Sequence, residues 1–496
     1  MFELPASPAT PLADEPPFVF ADLFAGVGGF AAALGGFGGA HAYAVEIDKH
    51  AAAVYHRNWG VDPLGDVTKD ADEGIMAVPE HDIVAGGFPC QPFSKSGAQR
   101  GMDETRGTLF FNIMEIVRER RPTLVVLENV RNLVGPRHVH EWQVIIERLR
   151  SAGYQVSDVP AIFSPHQINP EHGGSPQVRE RVFITATLVP DGHVADPFVE
   201  PVVLPDATRM HRAWDLRQDL GLDEAEAPMG TALSADEQKW ISHWDEWVQK
   251  VRDFRVMDAD LVGEFARQLP GFPIWAQVWT TSKAKRDDLM YPDGVTRVPA
   301  WKSNFLVKNW ELYDALRERG DSEWLGRWLR KTRTFPESRQ KLEWQAQDAS
   351  DLWDCAISLR PSGIRAKKMT HLPALVAITQ TPILGPLGRR LAPREAARMQ
   401  GLPDSFEFGD QRDALTYKQL GNGVNTGVVW NVLKAHVERD KALLRATARG
   451  EAIYESISRA DANPAAAIAR ALAAGKARAL RVDAAPTAVP EAVALG

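Results

Sequence analysis

Between Phe18 and Thr187, five short runs rich in apolar and β-branched residues alternate with stretches of helical spacing, and few folds accommodate that alternation. The runs are Phe18–Phe24, Ala42–Ile47, Asp82–Ala85, Thr123–Leu127 and Val182–Thr187, with helices expected over Ala51–Asn58, Leu109–Arg120 and Glu141–Ser151. Strand then helix, repeated, predicts an α/β chain with a doubly wound sheet covered on both faces. In such sheets ligands sit at the carboxyl ends of the strands, so the residues that close each run carry the functional interest.

The first run closes on DLFAGVGGF (Asp22 to Phe30), a glycine-rich turn where backbone can approach a ligand and a helix can start. The spacing is neither the dinucleotide G-x-G-x-x-G nor a P-loop. Glu46 closes the second run about 20 residues on, the interval at which an acid bonds ribose hydroxyls. Asp66, in GDVT, could accept from an adenine amino group. Together they describe a site for an adenosine-containing cofactor; a tight turn with ordinary strand-end acids accounts for them equally well.

GGFPCQPFS (Gly86 to Ser94) is more specific. Pro89 and Pro92 flank Cys90 and stiffen the loop that carries its thiol at the mouth of the third strand. A lone cysteine is more often a small buried hydrophobe than a nucleophile, but the rigid Pro-Cys-Gln-Pro setting favours function. LENV brings Glu128 to the end of the fourth strand, on the same edge as Cys90. A thiolate with a carboxylic acid suits addition to a conjugated ring, the sulfur attacking while the acid protonates a ring nitrogen. In SPQVRERVF, Gln177, Arg179 and Arg181 recur at period two and are expected on one face, where two guanidiniums can fix a carboxylate and a carbonyl or phosphate. An exposed charged edge is the bland alternative.

The middle of the chain loses the alternation. Twelve of the 15 tryptophans fall between Trp214 and Trp353. The window Ser282–Gln345 carries 14 Lys/Arg against 10 Asp/Glu in a chain whose net charge is −8. LRPSGIRAKK presents Arg360, Arg365, Lys367 and Lys368 with no acid among them. Composition alone reads such runs as solvated surface. The overall negative charge argues against indiscriminate nucleic-acid binding, while a groove needs only a local basic face. Cys90 and Cys355 are the only cysteines, too few for a disulfide framework or a cysteine-rich zinc site, and no metal site is expected. The Pro-rich, acidic start is unlike a secretory signal, and no stretch reads as a bilayer span, so the expected location is cytoplasmic with no membrane partner.

In order and spacing, these motifs resemble those of DNA (cytosine-5)-methyltransferases of the bacterial restriction-modification type. The resemblance runs through DLFAGVGGF, EID, GDVT, GGFPCQPFS, RGTLFFNIMEIV, LENV and PQVRERVF, and resumes in RRLAPREAARMQGLPDSF and YKQLGNGVNTGVV, covering about Phe18–Thr187 and Arg389–Ala435. It implies a Rossmann-like core using S-adenosyl-L-methionine, with an inserted target-recognition domain. The implied organisation is a flexible N-terminus over 1–17, a catalytic and cofactor-binding domain over 18–189, a recognition domain over 190–412 that includes 389–406, a return over 413–440, and a helical then disordered tail over 441–496. The implied activity is methylation of carbon 5 of a cytosine flipped out of a specific double-stranded DNA sequence, with the chain acting as a monomer on DNA, either as the modification half of a restriction-modification system whose endonuclease acts separately or as a solitary relative.

By that resemblance Cys90 is the nucleophile at carbon 6, Glu128 the acid at ring nitrogen 3, and Arg181 a holder of the base carbonyl and the acid, with Gln177 and Arg179 supporting the catalytic loop and strand. Phe24, Val27, Gly29, Glu46, Asp66, Pro89, Leu109 and Asn422 line the cofactor pocket. Ser94 to Arg106 forms a loop closing on DNA, with Ser94 and Arg106 near phosphate and Ser96 filling the space of the extruded base. Arg360, Arg365, Lys367 and Lys368 are candidate DNA contacts of the middle segment, and this Trp-rich, locally basic segment would read sequence and hold the opened duplex. The segment Ser164–Gln177 is longer than the family's usual one. An RNA cytosine methyltransferase on the same fold and a non-catalytic DNA-binding regulator are the competing readings; the large insert argues against the first, and the joint presence of Cys90, Glu128, Arg179 and Arg181 against the second.

Overall fold

The computed structural model describes residues 15–89, 109–222, 228–257, 269–347, 349–375 and 381–484. Two compact units result, the first made of Met1–Arg212 with Ala396–Gly496 and the second of Ala213–Glu395. The second unit is thus inserted in the chain of the first. Against the expected limits of 190 and 412, the segments 190–212 and 396–412 belong to the first unit.

The first unit is built on β1 (Val19–Leu23), α1 (Gly29–Gly36), β2 (Ala40–Val45), α2 (Lys49–Trp59), β3 (Ile83–Gly87), α3 (Leu109–Arg120), β4 (Leu124–Val130), α4 (Val139–Ser151), β5 (Tyr154–Val156), β6 (Ala161–Phe163) and β7 (Arg181–Leu188). Its seven-stranded sheet runs β2-β1-β3-β4-β7-β5, with β6 also paired to β7. The pairs β1–β2, β1–β3 and β3–β4 are parallel, and β7 runs antiparallel to β4, β5 and β6. Parallel strands covered on both faces are largely apolar: Phe20, Ala21 and Leu23 of β1, Ile83 to Ala85 of β3 and Leu124 to Leu127 of β4 are fully buried, and the one acid among them, Asp22, is buried with a hydrogen bond from the Tyr55 hydroxyl. Each expected strand and helix of this region is present, with β4 extended through Glu128 and Asn129. The fold is mixed α/β with a parallel sheet, as expected.

In the second unit α5 (Ala235–Met257), α6 (Ala300–Arg319) and α7 (Ser322–Thr332) accompany a six-stranded sheet containing β8 (Lys341–Gln345), β9 (Ala356–Arg360) and β10 (Gly363–Lys367). Most of its tryptophans build its core. Trp244, Trp247, Trp279, Trp310, Trp324, Trp328 and Trp344 are buried in one hydrophobic core, with Trp240, Trp275 and Trp353 packed against it. Burying large aromatic surface stabilises a unit of this size efficiently, and two of the indole N–H groups are satisfied internally, Trp244 by the Arg339 carbonyl at 2.8 Å and Trp328 by the His243 carbonyl at 2.8 Å, while Trp247 Nε1 has no partner among the described residues. Within RRLAPRE, Arg389 and Glu395 form a buried double hydrogen bond of 2.7 and 3.0 Å. That part of the motif is structural.

The chain then returns to the first unit as α8 (Asp413–Asn422), α9 (Thr426–Arg439), α10 (Ala448–Ser458) and α11 (Ala465–Ala484). The Ala-rich tail, expected as an exposed helix, instead packs on α1 and α2, burying Ile468 and Leu472. Small residues allow the approach: a Cβ on Gly475 would lie 2.4 Å from the Asn58 carbonyl oxygen. Residues 485–496, the rest of the expected tail, and residues 1–14 lie outside the described residues.

Candidate active site

The carboxyl ends of β1 to β4 meet at one edge of the sheet, and the loops that leave them shape a cavity of about 450 Å³. The turn after β1 is held in left-handed backbone conformations at Phe24 (φ 54°), Gly26 (φ 54°) and Gly28 (φ 93°). At Phe24 that conformation costs on the order of 1 kcal/mol, and Phe24 lines the cavity. At Gly29 the requirement is space, since a Cβ there would sit 2.7 Å from the Val424 carbonyl oxygen. The GNG return segment therefore lies directly on the first glycine turn, and two pieces distant in sequence make one wall.

Glu46 organises this wall. Its Oε2 accepts from the Gly26 N–H and its Oε1 from the Asp48 N–H, both at 2.8 Å. Asp48 caps α2 by accepting from the His50 and Ala51 N–H groups, and accepts from Lys418 Nζ at 3.0 Å. Each Glu46 oxygen keeps a second lone pair, and the side chain lines the cavity.

The opposite wall carries the acid and the guanidiniums. Glu128, at the end of β4, is buried and pairs with Arg181 at the start of β7, Nε to Oε1 2.9 Å. The register of β4 against β7 places Glu128 opposite Phe183, two residues from Arg181. Burial pushes the Glu128 carboxyl above the usual carboxylate range, opposed by the charges of Arg181 and Arg179. Arg179, also buried, is pushed down to about 10 by burial and by Arg181. Its Nη2 donates to the Gly421 and Gly423 carbonyls at 3.0 and 2.8 Å, tying the approach to β7 to the return segment. Asn129 donates to the Phe88 carbonyl at 2.9 Å and anchors the loop that leads to Cys90. Gln177 is fully buried, and neither polar atom of its amide has a hydrogen-bond partner among the described residues.

The cavity therefore gathers Phe24, Gly29, Glu46, Pro89 and Asn422 with Glu128, Arg179 and Arg181. Three residues that the resemblance assigns to the cofactor stand off it. Asp66 caps a short helix instead, its Oδ1 accepting from the Thr68 N–H at 3.1 Å and hydroxyl at 2.8 Å. Val27 is buried behind the turn, and its carbonyl accepts from Trp59 Nε1 at 3.1 Å. Leu109 packs on the core at the start of α3. Cys90, Ser94, Ser96 and Arg106 lie outside the described residues. Among the cavity residues, sequence reasoning passed over Asp48 and Lys418, although both stand inside quoted motifs, EID and YKQLGN.

In the second unit β9 and β10 pair antiparallel and bring the basic segment into one sheet. An acid absent from the segment itself comes from β8: Glu343 pairs with Arg365 and lies 3.9 Å from Arg360. Lys367 is pushed below the ordinary lysine value, first by burial and then by Arg365 and Arg360. Lys368 lines a separate, open depression with Trp214 and Arg217.

A glycine turn, a strand-end carboxylate and a buried Glu–Arg pair around one cavity define an α/β group-transfer enzyme, and the family match is specific. The chain belongs to the C-5 cytosine-specific DNA methylase family, whose model matches residues 18–438. It is 46% identical over 512 aligned positions to the Type II methyltransferase M.AluI of Cellulosimicrobium cellulans, covering 89% of this chain and 96% of that protein. It is also 37% identical over 221 positions to the Type II methyltransferase M.HhaI of Haemophilus parahaemolyticus, covering 43% of this chain and 64% of that one. Among solved structures, the S. pombe Dnmt2 methyltransferase superposes with a TM-score of 0.40 at 16% identity, over 86% of this chain and 99% of that one.

Proposed function

We propose that the chain transfers a methyl group from S-adenosyl-L-methionine to carbon 5 of a cytosine extruded from a specific duplex DNA sequence, through a covalent bond to Cys90. The observation that carries this reading is the cavity itself, which joins an adenosine-type wall (the glycine turn, Glu46, Asn422) to a buried acid paired with a guanidinium. The residues present fit the cofactor: the volume suits a nucleoside-sized ligand, the turn offers close backbone approach, and Glu46 keeps lone pairs for ribose hydroxyls. When bound, the sulfonium supplies an electrophilic methyl group.

The protein's part is to make carbon 5 a nucleophile. Pro89 lines the cavity, and the next residue is Cys90. The thiolate adds to carbon 6 of the ring, and the electron pair displaced toward nitrogen 3 is met by the proton of Glu128. Carbon 5 then carries enamine character and can take the methyl group. Removal of the carbon 5 proton by a base and return of the nitrogen 3 proton let the sulfur leave, which restores both catalytic groups. Arg181 holds the acid and the base carbonyl, Arg179 braces the cofactor wall, and Gln177 supports the loop of Cys90. Because a stacked base hides carbon 6, the cytosine must leave the helix at a cost of a few kcal/mol. The second unit would supply sequence recognition, with Arg360, Arg365, Lys367 and Lys368 contributing phosphate contacts.

The Type II names of the relatives support a role in restriction-modification; on this reading the chain protects host DNA, acts as a monomer on DNA in the cytoplasm, and any cognate restriction endonuclease is a separate protein. Among the described residues no helix is long and apolar enough to cross a membrane. Methylome sequencing of a host expressing the chain tests the function directly. Complete 5-methylcytosine at one sequence context is expected; methyl groups on adenine, or on tRNA alone, would overturn it.

A further inference from the structure

Of the 15 tryptophans in the chain, 11 are buried and three are half-buried; Trp301 alone is exposed, with 60% of its surface open to solvent. It stands in the first turn of α6, in a unit whose other indoles build or flank the core. On a helix, positions i, i+3 and i+7 share a face, so Trp301, Asn304 and Lys308 form one stripe, and all three are exposed. Arg297 is exposed just before the helix and Lys302 is half-exposed beside the indole. From Val295 to Lys308 there are three cations and no acid, in a chain whose net charge is −8. Val295 adds an 83% exposed apolar side chain to the patch.

We infer that this face of α6 is a duplex-DNA contact of the second unit, with Trp301 stacking on a sugar or base, Asn304 offering an amide to a base edge, and Arg297, Lys302 and Lys308 meeting phosphates. The indole meets Phe305 edge-on, with ring centroids 6.1 Å apart, and leaves 60% of its surface open, and a large flat aromatic on a segment rich in cations complements a polyanion that presents flat apolar faces. An amide one turn further along is the group that pairs bidentately with adenine. The inference rests on DNA being the substrate and names the surface that meets it, distinct from the β9–β10 segment, where Arg360 and Arg365 approach Glu343.

The test uses the full chain and duplexes containing the methylated context found in the host. Trp301→Ala is expected to weaken duplex binding by about tenfold or more, the scale of one lost stacking contact. Lys302→Ala with Lys308→Ala is expected to lower the slope of log K against log salt by about two. Thermal melting and S-adenosylmethionine affinity should match wild type, since these side chains are solvent-exposed or at the surface. If wild type methylates duplex DNA while the Trp301 and lysine variants bind it with unchanged affinity and salt slope, the inference is overturned and the face is left to a protein partner. If wild type methylates no DNA at all, the proposed function fails instead.

Discussion

At the scale of single residues, Glu128 is a carboxyl whose proton is held more tightly by burial, against the pull of Arg181 and Arg179. Burial raises the Glu128 pKa, so the fold binds this proton more tightly than the unfolded chain does. Its stabilising contribution is complete below the ordinary glutamate range and is lost as pH rises through the folded value. The same titration removes the proton that nitrogen 3 needs. The methyl-transfer step in single turnover should therefore slow as pH rises through that value, and Glu128→Gln should lower the rate by about 10²–10⁴-fold and abolish that limb of the profile. An unchanged profile in the variant would assign the limb to another group. Arg179 offers a second check: replacing it with alanine leaves the Gly421 and Gly423 carbonyls without their donor and removes two charge-assisted hydrogen bonds, each worth about 1.5–3 kcal/mol. A raised KM for the cofactor together with a lower Tm is expected, with Arg179→Lys intermediate. The positions of Glu128 and Arg181 were legible because one lies near the end of a strand and the other opens the next. That Asp66 and Val27 do not line the cavity was not, because the cap made by Asp66 and the hydrogen bond from Trp59 to the Val27 carbonyl depend on the folded backbone.

At the scale of elements, alternation of apolar runs with helical spacing was sufficient to find β1 to β4 and β7, since parallel buried strands leave a continuous hydrophobic signature. One element, the Ala-rich tail, was misjudged, and the tryptophan helices show the same ambiguity. The tryptophan helices and the Ala-rich tail both lack contrast in composition, so their partners cannot be read locally: indoles suit a core and a nucleic-acid surface alike, and alanine suits an exposed helix and a close-packed one. Only contacts decide. For α11 the deciding contact is Gly475 against Asn58 and Trp59 of α2. Gly475→Leu is expected to lower the stability of the first unit by about 1–3 kcal/mol, seen as a lower Tm, through the overpacking it forces. If α11 were the exposed helix its composition suggests, the change would leave Tm untouched or raise it by improving helix propensity.

For the whole molecule, one buried acid links sheet and helices of the first unit. Asp440 accepts from Thr187 of β7 at 2.7 Å and from Gln155 of β5 at 2.9 Å, and pairs with Arg439 at 2.6 Å. Burial alone would raise its pKa, but hydrogen bonds from His436 and Arg439 outweigh that and hold it well below the usual carboxylate value. A depressed folded pKa gives stability that is present above the unfolded value near 3.8 and lost as pH falls through the folded one. Unfolding free energy should thus fall as the solution is acidified below about pH 4, and Asp440→Asn should reduce both the stability at neutral pH and the part of the acid dependence due to this group; an unaltered acid profile would contradict the assignment.

The central claim is that the Cys90 sulfur bonds transiently to carbon 6 of an extruded cytosine. With a fluorine at carbon 5 of the target base, the final proton abstraction is blocked and the enzyme should remain attached to DNA. The measurement is mass spectrometry of the chain incubated with such a duplex and S-adenosylmethionine. A stable adduct mapping to the Cys90 peptide, and lost in Cys90→Ser, is predicted; methyl transfer to ordinary duplex without any such adduct would contradict the account.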